Sequence, residues 1–145
     1  MGKITDENYR KLKSAENYED ASLSGISDMD FTTSLARIME EKNVPTMTVV
    51  ENTSLSKSYI NKLRSPFEKQ VKPSRYVIIE IALAIDATLE ETNDLLKKAK
   101  YQELYTRDRS ESFIIWGMLK NIPGKEIRRM MQEKGLDDIF REKQR

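Results

Sequence analysis

The chain has 145 residues, 38% of them apolar and 34% charged, with 25 basic against 24 acidic side chains and neither cysteine nor histidine. The missing thiols and imidazoles exclude disulfides, thiolate or imidazole metal sites, and Cys- or His-based catalysis from this stretch. With few Gly and Pro, no sustained β-alternation and no apolar run approaching about 18 residues, the composition predicts an all-α, soluble, cytoplasmic protein that does not enter a membrane. A carboxylate-only cation site is still chemically open, but no EF-hand spacing is present, and no cofactor is expected.

Net charge is close to zero, yet it is unevenly distributed. Residues 1–30 carry four basic and seven acidic groups, residues 31–75 carry eight and four, and residues 76–145 carry thirteen of each. The positive excess thus falls on the segment 31–75. A local patch, more than total charge, sets attraction for phosphate across a Debye length of about 8 Å.

In chain order, residues 1–29 form an N-terminal arm in which Tyr9, Leu12, Ala15 and Tyr18 make a weak helical stripe on a polar peptide. It reads either as a disordered extension or as an arm that docks on a partner. Asp30 or Thr32 can cap a first helix carrying Phe31, Leu35, Ile38 and Met39 on one face and ending near Asn43. Pro45 starts a short helix over roughly 46–53, with Thr46 or Thr48 near its mouth. After a break at Ser54, Ser56 can N-cap a further helix to about residue 64, in which Ile60 and Leu63 are the apolar pair and Lys57, Ser58, Tyr59, Asn61 and Lys62 are polar.

The loop from Ser65 to Ser74 contains two prolines together with Lys69 and Lys72, and reads equally as a phosphate-contacting loop or a solvated connection. Ser74 caps an apolar helix, Tyr76 to Ala87, expected at the centre of the core. Thr88 and Glu91 form a capping box that opens a helix through about Lys100. The run from Glu90 aligns with the run from Lys125 at a constant offset of 35, placing Leu104 opposite Ile139 and Tyr105 opposite Phe140. The apolar stretch from Phe113 to Leu119 mirrors the helix at 76–87, so residues 101–145 read as a second helical pair packed on the first. Trp116 is expected in the core. Arg107, Asp108, Arg109, Arg128 and Arg129 read as a salt-bridged helix face, and the acidic pairs Glu90–Glu91 and Asp137–Asp138 as caps or solvated faces.

The stretch VVENTSLSKSYINKL, from Val49 to Leu63, with an aliphatic pair, a turn at Ser54 and anchors at Ile60 and Leu63, resembles the Cro/phage-repressor (XRE-type) helix-turn-helix family. The resemblance covers residues 31–100, within a domain expected over 30–100, and the segment beyond it is similar to bacterial members with extra C-terminal helices. It implies a five-helix repressor-like DNA-binding domain, with an additional C-terminal helical pair and the N-terminal arm. The implied function is sequence-specific binding of double-stranded DNA by a homodimeric transcriptional regulator. A regulatory protein partner would sit on the C-terminal helices.

By position, the resemblance assigns Ser56, Lys57, Ser58, Asn61 and Lys62 to base edges, and Thr46, Tyr59, Arg64, Lys69, Lys72 and Arg75 to phosphates. Two positions depart from the family pattern. Ser54 stands where Gly is usual, implying a non-Gly residue at positive φ, and Val50 stands where the smaller Ala is usual. With the near-neutral charge, these departures motivate a second reading, a protein-interaction adaptor that keeps the fold without DNA. No nucleophile–base pair or phosphate-cradling loop supports an enzyme.

Overall fold

The computed structural model describes residues 10, 13, 31–64 and 73–142; apart from residues 10 and 13, the expected N-terminal arm lies outside the described residues, as do Lys69 and Lys72. Regular structure among the described residues is helical throughout. From residue 31 onward the helices are α1 (Phe31–Glu41), α2 (Thr46–Asn52), α3 (Lys57–Arg64), α4 (Arg75–Ala84), α5 (Leu89–Lys98), α6 (Arg109–Leu119), α7 (Gly124–Lys134) and α8 (Asp138–Glu142). None is long and apolar enough to cross a membrane.

Local chemistry explains most boundaries. The hydroxyl of Ser56 accepts from the Tyr59 amide, that of Ser74 from the Val77 amide, and the carboxylate of Asp108 from the Glu111 amide. Thr88 and Glu91 make the reciprocal capping box. At α1, Thr32 lies inside the first turn and is buried, so it does not serve as the cap. At the other ends, Asn43, Asp86, Lys100, Asn121 and Gly135 each adopt a left-handed conformation with φ between 55 and 70°. These residues turn the chain so that the following amide returns to the preceding helix, as when Ala87 donates to the Ala82 carbonyl.

The repeat is visible in these terminations. Asp86 and Asn121 share their φ and their bonding, as do Lys100 and Gly135, and each pair is separated by the offset of 35. The pairs α4–α5 and α6–α7 therefore use one local design twice. The correspondence slips by one residue beyond Leu136: Leu104 and Phe140 are buried, whereas Tyr105 is half exposed.

Burial separates the two copies. Helix α4 is enclosed on nearly every side, burying Val77 through Leu83, and it touches α2, α5, α7 and α8. A helix apolar all round belongs at the centre of a core. Helix α6 buries only the stripe Glu111, Ile114 and Gly117. Trp116, about 200° around the helix from Ile114, consequently points outward and is 42% exposed, contrary to the core position expected for it. Its ring lies 5.3 Å from that of Phe113.

Two carboxylates are buried among these helices. Glu111 receives both a 3.0 Å and a 2.6 Å bond from Arg75, whose guanidinium also donates to the carbonyls of Gln102 and Glu103. This cluster fastens the start of α4 to the start of α6 and to the strap between α5 and α6. Glu80, in the middle of α4, pairs with Arg128 of α7 at 3.2 Å. Where α7 begins, the Gly124 amide donates to Asp86, and the helix closes so tightly on α4 that a Cβ at 124 would lie 1.7 Å from the Leu83 carbonyl oxygen. Only glycine permits that approach.

Candidate nucleic-acid interface

Helices α2 and α3 meet across the four-residue connection Thr53–Ser56, and α1 also packs against α3. Ile60 and Leu63 are completely buried, as is Val49 of α2. This spacing puts one side of α3 on the core and turns the other side to solvent. Ser56, Lys57, Ser58, Asn61 and Lys62, all expected to face base edges, are all exposed. Helix α3 contains no acidic residue, and its last turn carries Lys62 and Arg64. Neither Lys57 nor Lys62 forms an ion pair with a described residue.

The connection does not need the left-handed residue expected at Ser54, which is absent from the positive-φ positions. Thr53 is extended, at φ −136° and ψ 176°. Its hydroxyl donates to the Val49 carbonyl at 2.8 Å and accepts from the Leu55 amide at 3.1 Å. The Ser54 amide donates to the buried Glu80 carboxylate at 3.3 Å. Side chains thus take over the backbone bonds that a glycine turn would make, and no strain need be assigned to Ser54. Val50 is half-buried and packs on the core edge.

Asn61 and two further candidates, Thr46 and Arg64, are linked through the Thr46 hydroxyl at the open end of this corner. The Thr46 hydroxyl donates to Asn61 Oδ1 at 3.2 Å and accepts from the Arg64 guanidinium. Asn61 keeps its amide N–H groups for an outside acceptor, and Arg64 keeps donors beyond the one given to Thr46. Pro45 occupies the N-cap of α2 and makes no side-chain cap, so the first turn of α2 lacks the capping bond that Ser56 supplies to α3. Tyr59 is half-buried. Burial, with the nearby Tyr101, pushes its phenol above the ordinary range, so it remains a neutral donor at physiological pH.

The phosphate-contact set is not brought together as a whole. Arg75 is spent on Glu111 and two carbonyls, and that bonding raises its guanidinium further above its ordinary value. It is a structural cation, with four of its five guanidinium N–H groups engaged within the fold, which leaves little of it for the phosphate contact that the resemblance implies. Lys69 and Lys72 lie outside the described residues. Sequence reasoning missed Glu80, which reaches from the core to the turn ahead of α3. The available signal was a lone carboxylate amid the apolar run VIIEIALA, a position a helix cannot bury without a partner.

The basic residues of the C-terminal half are arranged differently. Arg129 is bound by Glu126 and Glu133 on its own helix, and Glu126 is held below the usual carboxylate range by Arg129. Arg128 pairs with Glu80 and lies 4.2 Å from the centroid of the Phe140 ring. Of the salt-bridged face expected from Arg107, Asp108, Arg109, Arg128 and Arg129, the last two form ion pairs, while Asp108 caps α6 and Arg107 and Arg109 form no ion pair with a described residue. No group of His, Cys, Asp and Glu among the described residues is placed to hold a metal ion. The chain matches no family model, no curated protein and no solved structure.

Proposed function

We propose that this protein binds double-stranded DNA sequence-specifically through α3, as a transcriptional regulator of repressor-like helix-turn-helix type. The observation that carries this reading is the outward face of α3. Lys57, Ser58, Asn61 and Lys62 project from a short helix that Ile60 and Leu63 anchor completely, with no acid on the helix and no ion pair to the two lysines among the described residues. Lysines with no ion pair to a described residue suit base-edge acceptors such as guanine O6 and N7, and the Asn61 amide suits adenine. Thr46, Arg64 and Tyr59 border that face and would meet phosphates. In this reading α1–α5 are the five helices of the DNA-binding domain. Two copies would place their α3 helices on half-sites about 34 Å apart, since one short helix contacts few bases.

A second reading has its own observation. Trp116 and Leu119 are exposed on α6, 42% and 63% respectively, which suits a helical adaptor that contacts another protein. Retention on duplex DNA separates the two. A DNA reader is held at about 50 mM salt and released towards about 200 mM, whereas an adaptor shows no salt-dependent retention. Selection from a random duplex library then yields a consensus only if the first reading is right.

A further inference from the structure

A cleft of about 500 Å³ opens between the end of α2, the end of α4 and the first half of α7. That volume is in the range of small-ligand sites. Leu83 and Ala84 line it from α4, while Lys125, Arg128 and Arg129 line it from α7 against a single acid, Glu126. Glu126 is already committed to Arg129. Lys125 is exposed and forms no ion pair with a described residue. The cleft therefore joins an apolar surface to one open cation, Lys125, beside two arginines already paired within the fold.

Arg128 is the unusual member. It gives Nη1 to Glu80, yet its Nε is buried and has no hydrogen-bond partner. A buried donor without a partner is unfavourable, and an arginine offers Nε and Nη2 together as the edge that grips a carboxylate. Phe140 sits under the guanidinium face. The oxygen of Glu80 that receives Arg128 is the one that also accepts from the Ser54 amide. Whatever draws Arg128 toward the cleft therefore loosens a bond on the carboxylate that holds the turn before α3.

We propose that this cleft binds a small organic carboxylate with an apolar body, and that its occupancy is transmitted to the Ser54 turn through Arg128 and Glu80. The apolar part rests on Leu83 and Ala84, and the carboxylate takes Arg128 and Lys125. Any consequence for DNA rests on the function proposed above, but the binding does not, so the test uses no DNA.

Octanoate is titrated into the ¹⁵N-labelled full chain, with 1-octanol as the neutral counterpart. The amides of Ser54 and Gly124 should shift together and saturate with octanoate, and octanol should bind at least about tenfold more weakly. Ala84→Phe, which fills the cleft and leaves the Arg128–Glu80 pair alone, should abolish the shifts. Lys125→Gln should weaken octanoate several-fold without altering the fold. Arg128→Gln also strips a buried carboxylate of its partner, so the two other variants are decisive. The proposal is overturned if neither amide saturates up to the low-millimolar range. Equal binding of octanol, or shifts around Gly124 with Ser54 unmoved, overturns it as well.

Discussion

Arg128 and Arg129 of α7 and Lys57 and Lys62 of α3 are treated oppositely. On α7, Arg128 reaches a buried carboxylate and Arg129 is held by two glutamates of its own helix. On α3, Lys57 and Lys62 stand with no ion pair to a described residue, on a helix free of acids. Regional net charge hints at this contrast but cannot establish it, because a paired arginine and an open lysine count alike. Positive charge already neutralised within the fold contributes to structure. Positive charge left open is available to a partner such as phosphate or a base edge.

The contrast breaks most visibly where a buried pair is cut. Glu111→Ala strands Arg75 at the junction of α4 and α6, and should lower stability by about 3–5 kcal/mol in urea unfolding. A loss near zero would mean that Arg75 is not the structural cation described here. Gly124→Ala drives a methyl into the Leu83 carbonyl and should cost about 1–3 kcal/mol or more, seen as a lower thermal midpoint. Neither change touches α3.

Lys57→Ala has the opposite profile. Its unfolding midpoint should move by no more than about 0.5 kcal/mol, while binding to a selected duplex weakens by about 1–3 kcal/mol in anisotropy titrations. Equal affinity for the selected and for scrambled duplexes, in wild type and variant alike, would remove Lys57 from any reading role. The smallest effects come from the turns. Lys100 holds a left-handed φ of 70° at the place where the second repeat has Gly135, so Lys100→Gly should stabilise by up to about 1 kcal/mol. Ser54 does not hold a positive φ, so Ser54→Gly should instead cost about 0.4–1 kcal/mol. A gain at Ser54 would show that the turn is the strained one the resemblance implies.

What was legible in the sequence was whatever depends on neighbours along the chain. The caps at Ser56, Ser74 and Thr88 act within three residues, and the buried pair Ile60 and Leu63 follows from helical spacing. The matched terminations at Asp86 and Asn121 gave the repeat a physical meaning. Illegible were contacts between distant segments. Arg75 and Glu111 are 36 positions apart and Glu80 and Arg128 are 48, and nothing local assigns those partners. Arg75 therefore looked like a surface cation. Trp116 looked like core because the apolar stretch around it resembles α4, yet α4, unlike α6, is surrounded by other helices. The exposure of the α3 face followed from spacing alone, whereas the internal bonds of Thr46, Asn61 and Arg64 did not.

The most direct test is the salt dependence of duplex binding in the wild type and in a Lys57→Ala/Lys62→Ala double variant. Each lysine that displaces a counterion contributes about 0.9 to the slope of log K against log salt. If α3 lies in the groove with both lysines engaged, the double variant should lose up to about 1.8 from that slope, together with its preference for the selected site. Identical slopes and identical sequence preference in the two proteins would contradict the reading of DNA by this face.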